Sequence, residues 1–163
     1  MWSVPDGRGV DGPRVDGARV DAPHVVDVSV WGKVRSQPPD DPAGLAAWFD
    51  RMILRGFVVL TPTIRHEVLS SARSGDAYLA QAMALADMRM LRLDTATVLR
   101  ADELQRSLAA RSHHRGVEPA DLLAAAAAIE AGVPLLHYDH DFELIAEVSD
   151  LDARWFVPRG SLP

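Results

Sequence analysis

The stretch that most constrains this chain runs from Glu118 to Glu147: E-P-A-D-L-L-A-A-A-A-A-I-E-A-G-V-P-L-L-H-Y-D-H-D-F-E-L-I-A-E. It reads as one helix–strand–helix unit. Pro119 suits the first turn of a helix, and Asp121 lies in that same turn. Alanine, leucine and isoleucine carry the helix to Gly132, a good C-terminal stop. Its body is apolar nearly all round, with Glu130 the main exception, which predicts a buried helix. Val133 to Tyr138 then reads as a short buried strand, with Asp139 and Asp141 following its end. Phe142, Ile145 and Ala146 recur at helical spacing beyond it. One carboxylate at a helix N-terminus and two at a strand C-terminus can therefore face a single cleft.

The rest of the chain repeats the alternation. Val25 to Trp31 (V-V-D-V-S-V-W) reads as the first strand, with Asp27 awkward inside it because an unpartnered carboxylate is costly to bury. The bland account of Asp27 is a turn or helix-capping residue. Ala43 to Leu54 reads as an amphipathic helix with Leu45, Trp48, Phe49, Met52 and Ile53 on its apolar face, and Phe57 to Leu60 as a second strand. Thr61-Pro62-Thr63 opens a helix that contains Glu67. Ala77 to Ala86 is predicted helical, Met88 to Leu93 a third strand, Thr95 to Ser112 a helix, and Arg154 to Val157 the last strand. Strands alternating with helices, and no hairpin signal, predict an α/β fold: a three-layer α/β/α sandwich around a central parallel sheet.

At 163 residues the chain has room for one domain with a proper core. Residues 1–23 hold three imperfect copies of a Val-Asp repeat separated by Gly, Pro and Arg, which cannot bury a face, so a disordered tail is expected there. The folded domain is expected over residues 24–163. With no cysteine, disulfide frameworks, thiolate zinc sites and cysteine nucleophiles are excluded. No signal-peptide core and no run of the ~20 apolar residues that a membrane helix needs are present, so a cytoplasmic protein with no membrane partner is expected. A net charge of −6 argues against a non-specific nucleic-acid coat. It leaves room for a nuclease, because divalent metal would neutralise a local acidic cluster.

In open parallel sheets, ligands bind outside the carboxyl ends of the strands. Asp27, Glu67, Asp121, Asp139 and Asp141 all map to that end and should converge. Carboxylates without Cys or His partners suit Mg2+ or Mn2+, and such ions can drive phosphoryl displacement by water. Ser29 suits orientation of Asp27 or of a water. No G-x-S-x-G elbow supports a serine hydrolase, and no P-loop or G-x-G-x-x-G supports a nucleotide cofactor. Lys33, Arg35, Arg65, Arg73 and Arg115 are the cations expected nearest the acidic mouth, where they would hold phosphates. Trp48 and Phe49 could stack bases, but their spacing favours packing. An apolar face around Trp48 and Met52 suggests a homodimer.

The motifs around these acids resemble those of PIN-domain ribonucleases, in particular the VapC toxins of toxin–antitoxin pairs. The likeness spans Val25 to Pro163. It is carried by V-V-D-V-S-V-W at Asp27, T-P-T-I-R-H-E-V-L at Glu67, H-R-G-V-E-P-A-D-L-L-A-A-A-A-A at Asp121 and V-P-L-L-H-Y-D-H-D-F-E-L-I-A at Asp139 and Asp141. The resemblance implies an α/β/α fold, Mg2+- or Mn2+-dependent cleavage of RNA, homodimers, and an inhibitory antitoxin whose segment enters the active-site groove. It implies that Asp27, Glu67, Asp121 and Asp139 bind metal, with Asp141 an accessory. Two other readings are carried as alternatives: a metal-dependent phosphohydrolase of small phosphate esters, although Ser29 stands where its aspartyl-nucleophile form needs a second Asp, and a non-catalytic PIN-like binding module, which the intact set of acids disfavours.

Overall fold

The computed structural model describes residues 20–41 and 44–162. Four strands, β1 (His24–Val26), β2 (Val58–Val59), β3 (Leu135–His137) and β4 (Ala153–Trp155), form one sheet in the order β2-β1-β3-β4. Every pairing is parallel, with Val25 opposite Val59 on one side and Leu135 on the other. Helices flank the sheet, giving the expected α/β/α architecture: α1 (Val28–Arg35), α2 (Leu45–Leu54), α3 (Pro62–Ser70), α4 (Gly75–Ala84), α5 (Thr95–Ala110), α6 (Pro119–Ala131) and α7 (Asp141–Ala146). α1 packs against α2 and α3, while α5, α6 and α7 pack together.

The strands are shorter than their apolar runs suggest. The run Val25–Trp31 splits: it leaves the sheet after Val26, and Asp27 caps α1 by accepting from the Ser29 N–H at 2.8 Å. A carboxylate two residues ahead of a free N–H offers the backbone a helix start that β-branched propensity alone does not outweigh. The third strand expected at Met88–Leu93 contracts to a single bridge between Met90 and Leu60 on the outer side of β2. The last strand is Ala153–Trp155 rather than Arg154–Val157.

Helix α6 lies deep because its side chains are small. Leu122 and Ala124 to Ala128 are buried, which brings the helix backbone close to its neighbours. It ends at Gly132 in the left-handed region at φ 61°, where a side chain would be strained. Trp48 and Met52 are both fully buried, and Trp48 packs its ring 5.2 Å from that of Phe156. They belong to the core and cannot form the exposed dimer face expected of them. Among the described residues the exposed large apolar side chains are Leu54 at the end of α2, Tyr78, Leu79 and Met83 on α4, Met90, and Val98 and Leu99 on α5, so α4 and α5 carry most of them. Residues 1–19 of the expected tail lie outside the described residues, and Val20, at its end, is buried at 2% exposure.

Candidate active site

The chain moves from β1 outward to β2 and later returns to the other side of β1 as β3. The strand order therefore reverses between β1 and β3, and crevices at such a reversal are where parallel sheets bind ligands. Asp27 follows β1 and Asp139 follows β3, so the two flank this crevice. Asp121 enters from the first turn of α6, Glu67 from α3 and Asp141 from the start of α7.

Asp27 is the most constrained of these. It is 2% exposed. Its Oδ2 accepts from the Ser29 N–H and from the Ser29 hydroxyl at 2.5 Å, while its buried Oδ1 has no partner among the described residues. The Ser29 oxygen in turn accepts from the Tyr138 N–H at 2.9 Å. Ser29 thus fixes one side of Asp27 to the end of β3 and leaves the other side bare. A buried carboxylate oxygen without a donor is costly unless a cation completes it.

The acids raise one another's proton affinity. Burial, then the charges of Asp27, Asp139, Glu67 and Asp141, push Asp121 up to about 8. Asp27 is raised by burial against its bonds to Ser29, with Asp139 adding to the rise. Burial raises Glu67, with Asp27 and Glu118 contributing, and burial raises Asp141, with Asp139 and Glu118 contributing. Asp27, Glu67, Asp121 and Asp141 are thus each raised in part by other acids of the group. Among the described residues no three acids or histidines already stand as ligands around one point. The side chains form a charge cluster, looser than a finished metal cage. A bare buried oxygen and mutual repulsion fit a divalent cation, which would relieve both.

Glu118 is the member that sequence reading passed over. It precedes Pro119 as the cap residue of α6, yet its side chain makes no capping bond, and its charge acts on Glu67 and Asp141. A glutamate before a helix proline reads as an ordinary helix start, so no local signal marks it.

The expected cations are spread over several elements. Lys33 lies over the Tyr138 ring at 5.1 Å, next in sequence to Asp139. Arg35 donates to the Ser71 hydroxyl at 2.7 Å. Arg35 and Arg73 line one groove of about 540 Å³ with Val28, Trp31, Gly32 and Gln81, and Val28 follows Asp27 in sequence. Arg65 is half-buried on α3, and Arg115 is exposed in the turn before α6.

The family model described as PIN domain matches residues 24–148. Ribonuclease VapC18 of Mycobacterium tuberculosis is 40% identical over 101 residues, covering 61% of this chain and 74% of that protein. Ribonuclease VapC51 of the same organism is 40% identical over 107 residues, covering 66% and 77%. Among solved structures, VapBC2 from Rickettsia felis bound to a promoter DNA fragment aligns with a TM-score of 0.61 at 12% identity, covering 82% of this chain and 98% of that one. VapBC-5 from Mycobacterium tuberculosis aligns with a TM-score of 0.56 at 23% identity, covering 83% and 98%. At those identities the structural likeness is one of fold.

Proposed function

The chain belongs to the PIN-domain family, and from that premise we propose that it is a metal-dependent endoribonuclease, the toxin of a toxin–antitoxin pair. Relatives named as ribonucleases support the RNA-cleaving activity. The observation that carries the chemistry is the bare, buried Asp27 oxygen inside a group of acids at the strand reversal.

In this reading Asp27, Glu67, Asp121 and Asp139 hold Mg2+ or Mn2+, and Asp141 is an accessory. When bound, the metal supplies an activated water and neutralises charge on the phosphoryl oxygens. Asp121, pushed up to about 8 by burial and by its acidic neighbours, would be one of the carboxylates that hold the metal, which would offset that repulsion. Ser29 keeps Asp27 oriented through the bond it accepts from Tyr138. Lys33, Arg35, Arg65, Arg73 and Arg115 hold RNA phosphates without reading sequence.

The partner is an antitoxin, as in the VapBC complexes to which the fold is similar. The groove lined by Val28, Trp31, Arg35 and Arg73 suits its inhibitory segment. Val28 and Trp31 offer an apolar wall, and Arg35 and Arg73 offer charges that the RNA would otherwise use. A second copy of the chain is assigned to the apolar side chains of α4 and α5. Among the described residues no helix is long and apolar enough to cross a membrane. The cytoplasm, where RNA and antitoxin meet, is the compartment this activity requires.

The test is cleavage of cellular RNA by purified protein with Mg2+ or Mn2+ and with chelator, with and without the partner encoded beside it. Metal-dependent endonucleolytic products, suppressed by the partner, are expected. Equal RNA decay in chelator, or none under any metal, overturns the reading.

A further inference from the structure

After β4 the chain makes a turn that is clamped to the residue preceding Asp139. The Ser161 N–H donates to the Pro158 carbonyl at 3.0 Å, and Gly160 sits at φ 77°. Pro158–Ser161 is thus a tight turn whose third position needs a positive φ, which glycine supplies. Arg159 occupies the second position, at the corner, and its side chain is 63% exposed. Beyond the turn the chain is pinned. The Leu162 N–H donates to the Tyr138 hydroxyl at 3.0 Å, and that hydroxyl donates to the Leu162 carbonyl at 3.2 Å. Tyr138 stands directly before Asp139, and its own N–H holds Ser29.

Two cations stand over an aromatic pair here. The rings of Tyr138 and Trp155 meet edge to face, with centroids 5.5 Å apart. Lys33 Nζ lies 5.1 Å from the Tyr138 centroid, and the Arg159 guanidinium carbon lies 5.8 Å from that of Trp155. The rings restrain two long side chains, so less freedom is lost when they hold an anion. Glu143 neutralises Arg159 only weakly. It accepts from the Trp155 indole N–H at 2.7 Å and meets His140 Nδ1 at 2.6 Å, whereas a single Arg159 nitrogen reaches it, at 3.5 Å. A guanidinium carries five N–H donors, so most of its capacity is left for another acceptor.

A repeating anion is the ligand that such a row fits. The chain has a net charge of −6, and its acids repel a polyanion until local cations hold it. The row begins at Tyr138, next in sequence to Asp139, and a strand with one phosphate at the acids carries further phosphates on either side. That continuity favours RNA over an acidic segment of a protein. We propose that the Pro158–Ser161 turn is an RNA contact: Arg159 and Lys33 hold backbone phosphates flanking the one at the acids, and the Tyr138 hydroxyl sets the position of the turn. Such contacts place the strand without reading its sequence. The inference rests on the ribonuclease reading above for its ligand, while the contact itself is measured without cleavage.

The experiment titrates a short labelled single-stranded RNA of mixed sequence with the full chain, in chelator, and follows anisotropy at several salt concentrations. Arg159→Ala should weaken binding about 5-fold at low salt. It should also reduce the slope of log affinity against log salt by about 0.7, the mark of one lost phosphate contact on a single strand. Arg159 is exposed, so this variant keeps the fold. Tyr138→Phe keeps the ring and loses the clamp, so it should weaken binding in the parent and add nothing in the Arg159→Ala background. Arg106→Ala, at an exposed arginine of α5, should leave the slope unchanged. A parent slope retained in Arg159→Ala, the same drop in Arg106→Ala, additive effects of Tyr138→Phe and Arg159→Ala, or a parent that binds no RNA overturns the proposal. So does a loss confined to binding of the partner protein encoded beside the chain. RNA that is bound in this way but left uncut with Mg2+ or Mn2+ contradicts the ribonuclease reading and not the turn.

Discussion

The Tyr138 N–H donates to the Ser29 hydroxyl at 2.9 Å, joining the first turn of α1 to the end of β3 across 109 residues of sequence. The same hydroxyl donates to Asp27, so one side chain sets the position of the most buried acid relative to Asp139. Removing the hydroxyl in Ser29→Ala keeps the backbone N–H bond to Asp27 and loses the link to β3. Groups that orient a metal ligand are worth ~10–100-fold in affinity. Calorimetric titration with Mn2+ should show a loss of that size with a nearly unchanged fold, and affinity equal to that of the parent would show that Ser29 does not orient the site.

The raised acids make the metal-free protein sensitive to pH. Asp121 rises from an ordinary 3.8 to about 8 on folding, so between those values the folded state binds more protons than the unfolded one. Its contribution to stability is fully present below about 4 and is lost as pH rises through about 8. In chelator the melting temperature should therefore decline across that window, and Asp121→Asn should flatten the decline. Excess Mg2+ should flatten it too, by holding the deprotonated form. A parent curve with no such slope would contradict the clustering of these charges.

Assembly should depend on α4 and not on α2. Met83 is 78% exposed and Leu79 60%, so Met83→Glu with Leu79→Glu should yield a monomer in light scattering without lowering the fold's stability. Trp48→Ala, by contrast, should cost ~3–5 kcal/mol of stability through a core cavity. A double glutamate variant that stays dimeric would move the interface elsewhere.

Val20, the first described residue, packs in the core. Deleting residues 1–19 should leave the melting temperature unchanged, whereas extending the deletion through Pro23 should lower it, because Val20 packs in the core. Thermal melts of the two truncated chains decide this.

Much of this was legible from residue order alone. The apolar run after Asp121, the Gly132 stop and the short strand before Asp139 have strong local causes, and they appear with small shifts at their ends. Asp27 was legible as an acid at a strand end. The length of that strand was not, because the N–H of Ser29 competes for the backbone and the competition depends on where the sheet stops. Trp48 and Met52 share one helical face in sequence, but which neighbour covers that face depends on tertiary packing against Phe156. Met88–Leu93 has strand-like alternation yet contributes one bridge at a sheet edge, since propensity does not supply a second neighbour. The action of Glu118 on Glu67 and Asp141 is a property of placement, and no spacing encodes it.

The central claim is that Asp27 and Asp121 serve a metal and not the fold, and one paired measurement on Asp27→Asn and Asp121→Asn tests it directly. Each variant removes a charge from a repelling group without creating a cavity. In chelator, each should melt at or above the temperature of the parent. In Mg2+ or Mn2+, the parent should gain stability and cleave RNA, whereas each variant should lose more than about 100-fold of that cleavage, since even outer-shell partners cost up to that much. An Asp121→Asn protein that cleaves RNA as the parent does, or one that unfolds in chelator, contradicts the account.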